Sequence, residues 1–507
     1  MSTAYHQRRP PRRSLLPAWA ASFLLVAGLV GCTTVGPNFT RPTAAAPDDW
    51  TAWRSSDERL RVPVAVEAGL RGDWWRAFND PVLDRLQQRA VDASPDLRTA
   101  ALHFAQARVQ RGTVAAQRGP DVGASAGASR QRQSEVGAST RMIDAIGGNN
   151  RAALSQLLAE PFTLYQAGFD ASWELDLWGR IRRSVEAADA DVARQAALLD
   201  LARLSLACDL ARHYLDLRTA QRQTRLARED VAALRDQLGL LAARVQGGVA
   251  DHLALERQRA ELAALEGQLP GLLAQEAASL NQVELLVGER PGALREALAA
   301  PADDGAAARF ALPDLSPGLP SEVALRRPDI RGAEAQLHRA VASIGVAQAD
   351  LYPSIRLGAK FGFESYLRGE FGDWGSRTWS IGPSLNLPLF DHGRRKSVVQ
   401  LRELEQQEAA VAYQRTVLQA WHEIDDALNG YAAERQQGEQ LRRRLASARD
   451  VAALTRARYD GGTVDFSAVI DAQRAWLQAR RDLAASEGRL GTRFVAVNKA
   501  IGNGPAM

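Results

Sequence analysis

The sequence predicts an α+β membrane protein in which each chain supplies four β-strands and two very long helical hairpins. Three observations predict it. Apolar and polar residues alternate with a period of two over ten or more residues in three segments. A proline-free stretch, Arg180 to Arg244, has an equally long partner in Arg394–Arg458. An internal repeat carries both features twice.

The N-terminus reads as a targeting segment. Arg8, Arg9, Arg12 and Arg13 precede the uncharged apolar run Ala18–Val30, the n-region and h-region of a secretory signal spanning 1–31. The run is short of the ~20 residues that cross a bilayer as a helix. It ends in Leu29-Val30-Gly31-Cys32, which resembles a bacterial lipobox. Cys32 is the expected lipid attachment site and first mature residue, carrying acyl chains such as palmitate. Each buried acyl methylene is worth ~0.8 kcal/mol, so two or three chains anchor firmly. Residues 32–80 form the lipidated N-terminal segment.

Composition excludes several classes. At 507 residues, 46% hydrophobic and 24% charged, the chain is neither a disordered polyelectrolyte nor a polytopic helical membrane protein. The net charge of +4 comes from the four leader arginines, since without them 59 basic residues face 59 acidic ones. A basic-surface argument for nucleic acid therefore fails, and no nucleic-acid partner is expected. Two cysteines exclude a disulfide scaffold.

The repeat has two offsets. Pro95-Asp96-Leu97 falls on Pro328-Asp329-Ile330 and Gly112 on Gly345, a shift of 233. Gly168 falls on Gly382, Gly179-Arg180 on Gly393-Arg394, and Gly247-Gly248 on Gly461-Gly462, a shift of 214. The shift changes because the loop Arg130–Pro161 is longer than Glu364–Arg377. The first repeat spans 81–288: a helix, a β-hairpin at 121–178 and a helical hairpin at 180–287. Residues 289–324, rich in Pro and Ala, form the linker. The second repeat spans 325–502, with a β-hairpin at 354–390 and a helical hairpin at 394–501, and 503–507 is a tail.

The strands alternate without exception. Over Tyr165–Leu177 the odd positions are Tyr165, Ala167, Phe169, Ala171, Trp173, Leu175 and Leu177, against Gln166, Gly168, Asp170, Ser172, Glu174 and Asp176. Ser354–Phe363 and Trp379–Leu389 do the same, and Val122–Ser129 alternates Val/Ala with Gly/Ser. Such segments are the signature of transmembrane β-strands with a lipid face and a wet face. A soluble half-buried sheet gives the same pattern. The leader and the repeat favour the barrel.

The helices carry a coiled-coil seam. From Leu210 it runs through His213, Leu217, Ala220, Thr224, Ala227, Val231, Leu234, Leu238 and Leu241 to Val245, in steps of 3 and 4. A rod from Arg180 to Arg244 is ~98 Å long. Its apolar content is too low for lipid, so these helices pack on each other in water.

One chain cannot close a barrel. Four strands leave two edges unpaired in hydrocarbon, each exposed group costing several kcal/mol. Two chains give eight strands, whose interior side chains fill, whereas three give twelve and a lumen. The expected assembly is a homotrimeric twelve-stranded barrel continued by an antiparallel helical tunnel.

These residues bring the chain to a known family. It resembles the TolC/NodT-type outer-membrane efflux lipoproteins through essentially the whole mature chain. The carriers are Cys32 with Val35-Gly36-Pro37-Asn38-Phe39 and Arg41-Pro42, and Trp74-Trp75 with Phe78 and Asp80-Pro81. Further carriers are Leu319-Pro320-Ser321 with Arg326-Arg327-Pro328-Asp329-Ile330, and Arg458-Tyr459-Asp460-Gly461-Gly462 with Asp471-Ala472-Gln473. The resemblance implies a trimeric barrel on a helical tunnel with a small mixed equatorial region. It further implies an outer-membrane location, a periplasmic adaptor (membrane fusion) protein and an inner-membrane pump of the RND type. Thr33, which is not Asp, favours outer-membrane sorting by the same analogy. The implied role is passive export of small molecules such as drugs, hence antibiotic resistance.

The turns Gly247-Gly248-Val249 and Gly461-Gly462-Thr463 take matching positions. As a minimum they are helical hairpin turns, ended by glycine and followed by Asp251 and Asp465 as caps. The resemblance makes them the adaptor-facing tips. It also places Asp471 at the periplasmic aperture, with Asp465 and Tyr459 nearby. Three symmetry-related Asp471 carboxylates would form a ring that attracts cations. Some family members carry a charged residue where this chain has Val464.

The sequence shows no catalytic constellation, and the seven histidines have no metal-ligand spacing, so no enzyme, metal or cofactor beyond the lipid is expected. Cys208 reads as a small packed residue. Two other classes fit the long helices: a structural envelope-spanning lipoprotein and a type I protein-secretion duct. A brace needs no two-faced strands, which favours the duct.

Overall fold

The computed structural model describes residues 34–42, 72–137, 141, 148–249, 251–299, 323 and 326–504. The leader, Cys32 and Leu319-Pro320-Ser321 lie outside the described residues.

The elements follow in chain order. They are α1 (Pro81–Ala93), α2 (Pro95–Ala116), β1 (Asp121–Gln131), α3 (Arg151–Ala159), β2 (Phe162–Leu175), α4 (Arg180–Gln246) and α5 (His252–Leu286). Then come α6 (Pro328–Ala349), β3 (Ser354–Ser365), β4 (Arg377–Asn386), α7 (Arg394–Asp460) and α8 (Phe466–Ala500). Both α4 and α7 have 67 residues, ~100 Å each. The chain divides into two compact units.

One unit comprises Met1–Thr40, Arg108–Ala190 and His338–Glu408 and holds the sheet. Its four antiparallel strands lie in the order β1-β2-β3-β4. The two expected hairpins are therefore one sheet, joined where β2 pairs with β3. Residues directly opposite each other share a face. One face carries Val122, Ala171, Ala359 and Ile381 in one row, and Ala124, Phe169, Phe361 and Trp379 in the next. The other carries Asp170 opposite Lys360 and Glu174 opposite Arg356, the latter pair 3.2 Å apart. The apolar face is bare: Phe169, Trp379, Ile381 and Leu385 are 62–69% exposed.

Three strand details differ from expectation. The loop after β1 contains the helix α3. β2 begins at Phe162 and stops at Leu175, so Asp176 is not a strand residue. Its carboxylate instead accepts from Ile181 N and Arg182 N, capping α4, because Trp178-Gly179 turn the chain there and Gly179 takes φ +79°. β4 stops at Asn386, short of Leu389.

The other unit comprises Arg41–Ala107, Asp191–Leu337 and Ala409–Met507. Its core gathers Trp74, Phe78, Leu83, Leu210, Tyr214, Leu217, Val283, Leu298, Ile424, Tyr431 and Phe494. Asp80 starts α1 by accepting from Val82 N at 2.8 Å, and its second oxygen accepts from the Tyr214 hydroxyl. Of the seam on α4, His213 and Leu238 are half-buried and all the others are buried. In the linker, Leu294 and Leu298 join the core, and the buried Glu284 carboxylate accepts from Gly292 N and Leu294 N at 2.8 Å.

Candidate functional site

The two hairpin turns are built alike. Val249 N donates to Arg244 O at 2.9 Å and Gly248 N to Val245 O at 3.0 Å. Thr463 N donates to Arg458 O and Gly462 N to Tyr459 O, both at 2.9 Å. Each is a Schellman closure, which needs a left-handed residue after the helix. Gly248 at φ +72° and Gly462 at φ +71° supply it. A Cβ on either would meet nothing within 4 Å, so the surface there is open. Gly247 and Gly461 have ordinary φ, and Val249 is 80% exposed.

The caps differ. Asp251 accepts from Leu253 N at 3.1 Å. Asp465 holds the equivalent position but its side chain makes no cap hydrogen bond, contrary to the expected symmetry. Thr463 takes part in the turn instead, its hydroxyl donating to Arg458 O at 2.9 Å.

Tyr459 links the turns. Arg244 donates to its hydroxyl at 2.8 Å, and the guanidinium sits 5.9 Å from the ring centroid. The ring also packs on Phe466 at 5.1 Å, beside the apolar group Leu241, Val245 and Leu255. Sequence reasoning singled out Tyr459 but missed Arg244. The signal was available, because Arg244 and Arg458 are repeat mates and only one could face a tyrosine.

Asp471 lies on α8, six residues beyond Asp465, about 9 Å along the axis. Its neighbours Val469 and Ala472 are buried, whereas Asp471 is exposed and has no hydrogen-bond or ion-pair partner among the described residues. One turn further, Arg474 pairs with Glu261 on α5 at 3.3 Å. Thus Tyr459 is engaged within the chain, while Asp465 and Asp471 present free carboxylates.

A second constellation escaped sequence reasoning. Arg183, 3% exposed, donates to Val35 O at 3.2 Å, Gly36 O at 3.1 Å, Asn38 Oδ1 at 2.8 Å and Glu186 at 2.7 Å. Val35 N donates to Trp178 O at 3.1 Å. Phe39 stacks on His338 with centroids 4.3 Å apart, and His338 contacts Glu186 at 3.0 Å. The segment starting two residues after Cys32 is thereby clamped to α4 and α6.

No group of three or more His, Cys, Asp or Glu able to hold a metal occurs among the described residues. No helix among them is long and apolar enough to cross a membrane.

Several known outer-membrane proteins are similar to this chain. The family model "Outer membrane efflux protein" matches residues 86–289 and 319–503. Outer membrane protein OprJ of Pseudomonas aeruginosa is 30% identical, with 90% of each chain covered. Pyoverdine export outer membrane protein OpmQ of Pseudomonas putida is 31% identical over 96% of this chain and 98% of that one. The solved outer-membrane channel OprN superposes with a TM-score of 0.81 at 30% identity, covering 93% of this chain and 99% of that one.

Proposed function

The chain belongs to the outer membrane efflux protein family, and on that premise we propose that it forms the outer-membrane duct of a tripartite export system. Three copies close a twelve-stranded barrel, anchored additionally by lipid on Cys32. The glycine turns at Gly247–Val249 and Gly461–Thr463 meet a periplasmic adaptor, which couples the duct to an inner-membrane pump of the RND type. Cargo passes without chemistry, so no catalytic residue or cofactor is needed. Small molecules such as drugs are the cargo this reading favours.

The observation that carries it is the sheet. Its apolar face is bare, its other face is charged and its two edge strands are open. Lipid tolerates the first, a wet lumen the second, and only further copies satisfy the third.

Asp471 is the residue this reading assigns to the closed aperture. Three converging carboxylates raise the local cation concentration and narrow the mouth. Purified protein in planar bilayers tests this. Asp471→Ala should conduct more and select cations less than wild type, while Asp92→Ala on α1 should match wild type. Unchanged conductance and selectivity in Asp471→Ala would remove the aspartate from the gate.

A further inference from the structure

We propose that an acyl chain carried by Cys32 lies in an apolar groove on the bare face of the same chain's sheet, walled by Phe169, Phe361 and Phe363. This rests on the reading of Cys32 as lipidated and names where that lipid sits.

The groove has a volume of about 340 Å³ and is lined by Ala124, Ala126, Ala167, Phe169, Phe361 and Phe363. These side chains form two successive rows of the apolar face, Ala126–Ala167–Phe363 and Ala124–Phe169–Phe361. The three alanines leave the depression, and the three phenylalanines wall it. Its floor is backbone, since Gly168 and Gly362 lie opposite each other in the row between. Phe361 and Phe363 meet edge to face at 5.9 Å, which braces one wall. Asp170, Lys360, Gln166 and Glu364 stand on the opposite face, and none of them lines the groove. A depression of this kind offers water no partners and suits a run of methylenes.

The N-terminal segment leads to the foot of this groove. Helix α6 runs towards the sheet, ending at Ala349, and β3 starts at Ser354. Residues 39 to 34 climb α6 against its chain direction. Phe39 stacks on His338 at 4.3 Å, and a Cβ on Gly36 would lie 2.5 Å from Gly345 Cα. Thr34 then reaches the turn between β2 and α4. A Cβ on Gly179 would lie 2.5 Å from Thr34 Cγ2, and Val35 N donates to Trp178 O at 3.1 Å. Cys32 is two residues beyond Thr34, a chain length of ~7 Å at most.

The length fits one acyl chain. Phe169 is six residues from Leu175, the last residue of β2, or ~20 Å along the strand. Transmembrane strands tilt by ~40°, so this is ~15 Å of depth, half of the ~30 Å hydrocarbon core that two opposed acyl chains fill. The path from the foot passes Trp173 and Leu357, then the small pair Ala171–Ala359. The Trp173 indole N–H donates to Arg118 O at 2.9 Å, which fixes the ring beside the path.

The tether decides the occupant. Lipid tails are as apolar as the groove, so only packing holds a chain there. A free lipid gives up translational and rotational freedom to settle in it, whereas a chain fixed at Cys32 has already lost most of that freedom. Arg183, 3% exposed, makes the fixing firm by holding Val35 O, Gly36 O and Asn38 Oδ1.

Photocross-linking of the full chain in its own membrane tests the seat. Cells are fed a palmitate analogue with a diazirine near its methyl end, the membranes are irradiated, and linked peptides are mapped by mass spectrometry. Links from the N-terminal peptide should fall on Ala124–Ala126, Ala167–Phe169 and Phe361–Phe363, and not on Ile381 or Leu385 of β4. The linked protein should run as one chain on a denaturing gel. Ala167→Phe fills the groove and should lose most of these links, whereas Ile381→Phe should keep them. A second variant, Ala126→Leu, narrows the groove from β1 and should act as Ala167→Phe does. Links spread evenly over the apolar face, links that join two chains, or groove links made by whole phospholipid, recognised by its mass, would each overturn the seat and leave the anchor and the duct standing. An N-terminal peptide without an acyl group would overturn the anchor as well, while conductance in planar bilayers judges the duct separately.

Discussion

Replacing Arg183 by Met should free the segment that follows Cys32. The arginine is 3% exposed and donates to three acceptors on residues 35–38 as well as to Glu186. Methionine keeps most of the apolar stem and removes every donor. A buried acceptor left unpaired costs roughly 1–3 kcal/mol. Three acceptors at the low end give about 3 kcal/mol, since water reaches a segment on the surface. Hydrogen exchange reads this directly, because Val35 N–H is bonded to Trp178 O at 3.1 Å. A loss of about 3 kcal/mol in local opening is a rise of roughly a hundredfold in its exchange rate. Amides in the middle of α4 should be unaffected. An unchanged Val35 rate would refute the clamp and leave Arg183 as packing for Gly345.

The same region has a pH signature. Burial pushes the Glu186 carboxyl up, but hydrogen bonds from Arg183 and His338 outweigh it and hold it below the usual glutamate range. Its contribution to stability is therefore full above the ordinary glutamate pKa and lost as pH falls through the lowered folded value. Thermal unfolding of Glu186→Gln should match wild type only at that acid end. Cys208, 1% exposed, has its thiol pushed up to about 12 by burial, so iodoacetamide at neutral pH should label it only after unfolding. Gly362→Val places a Cβ 2.6 Å from Ala167 O, and should cost about 1–3 kcal/mol and reduce the three-chain yield on native gels.

The sequence exposed what is periodic and hid what is tertiary. The alternation over Tyr165–Leu175 follows from one face meeting lipid, and the seam from Leu210 to Val245 follows from helix packing. Both leave a pattern that one chain can display. Asp176 continued the alternation by chance, and only the turn at Trp178-Gly179 made it a helix cap. Asp465 looked equivalent to Asp251, yet Thr463 had taken over the turn. Arg183 was one of three arginines in the four residues from 180 to 183, with nothing to distinguish it, since the carbonyls it holds belong to residues almost 150 positions away. At the tips, repeat matching located both turns, but not the Arg244–Tyr459 link, which depends on how two hairpins lie side by side.

The choice of cation follows from the same architecture. Of the 63 basic residues, three are lysines: Lys360, Lys396 and Lys499. Long helices satisfy their own backbone, so unpaired carbonyls gather where chain segments end against a helix. A guanidinium carries five donors in a rigid fork and holds a carbonyl and a carboxylate at once, which an ammonium does less well. Arg327 shows the use: it donates to Ala500 O at 2.6 Å, to Asp329 at 2.6 and 3.0 Å and to Glu423 at 2.7 Å, while 6% exposed. Its carbonyl partner is the last residue of α8, and its carboxylate partners start α6 and lie along α7. Arg327→Lys keeps the charge but cannot span all three, leaving the Ala500 carbonyl unpaired at roughly 1–3 kcal/mol. Arg327→Lys should therefore unfold nearly as early as Arg327→Met in a thermal melt. If lysine restored wild-type stability, charge alone would explain the site, and the preference for arginine in this chain would need another cause.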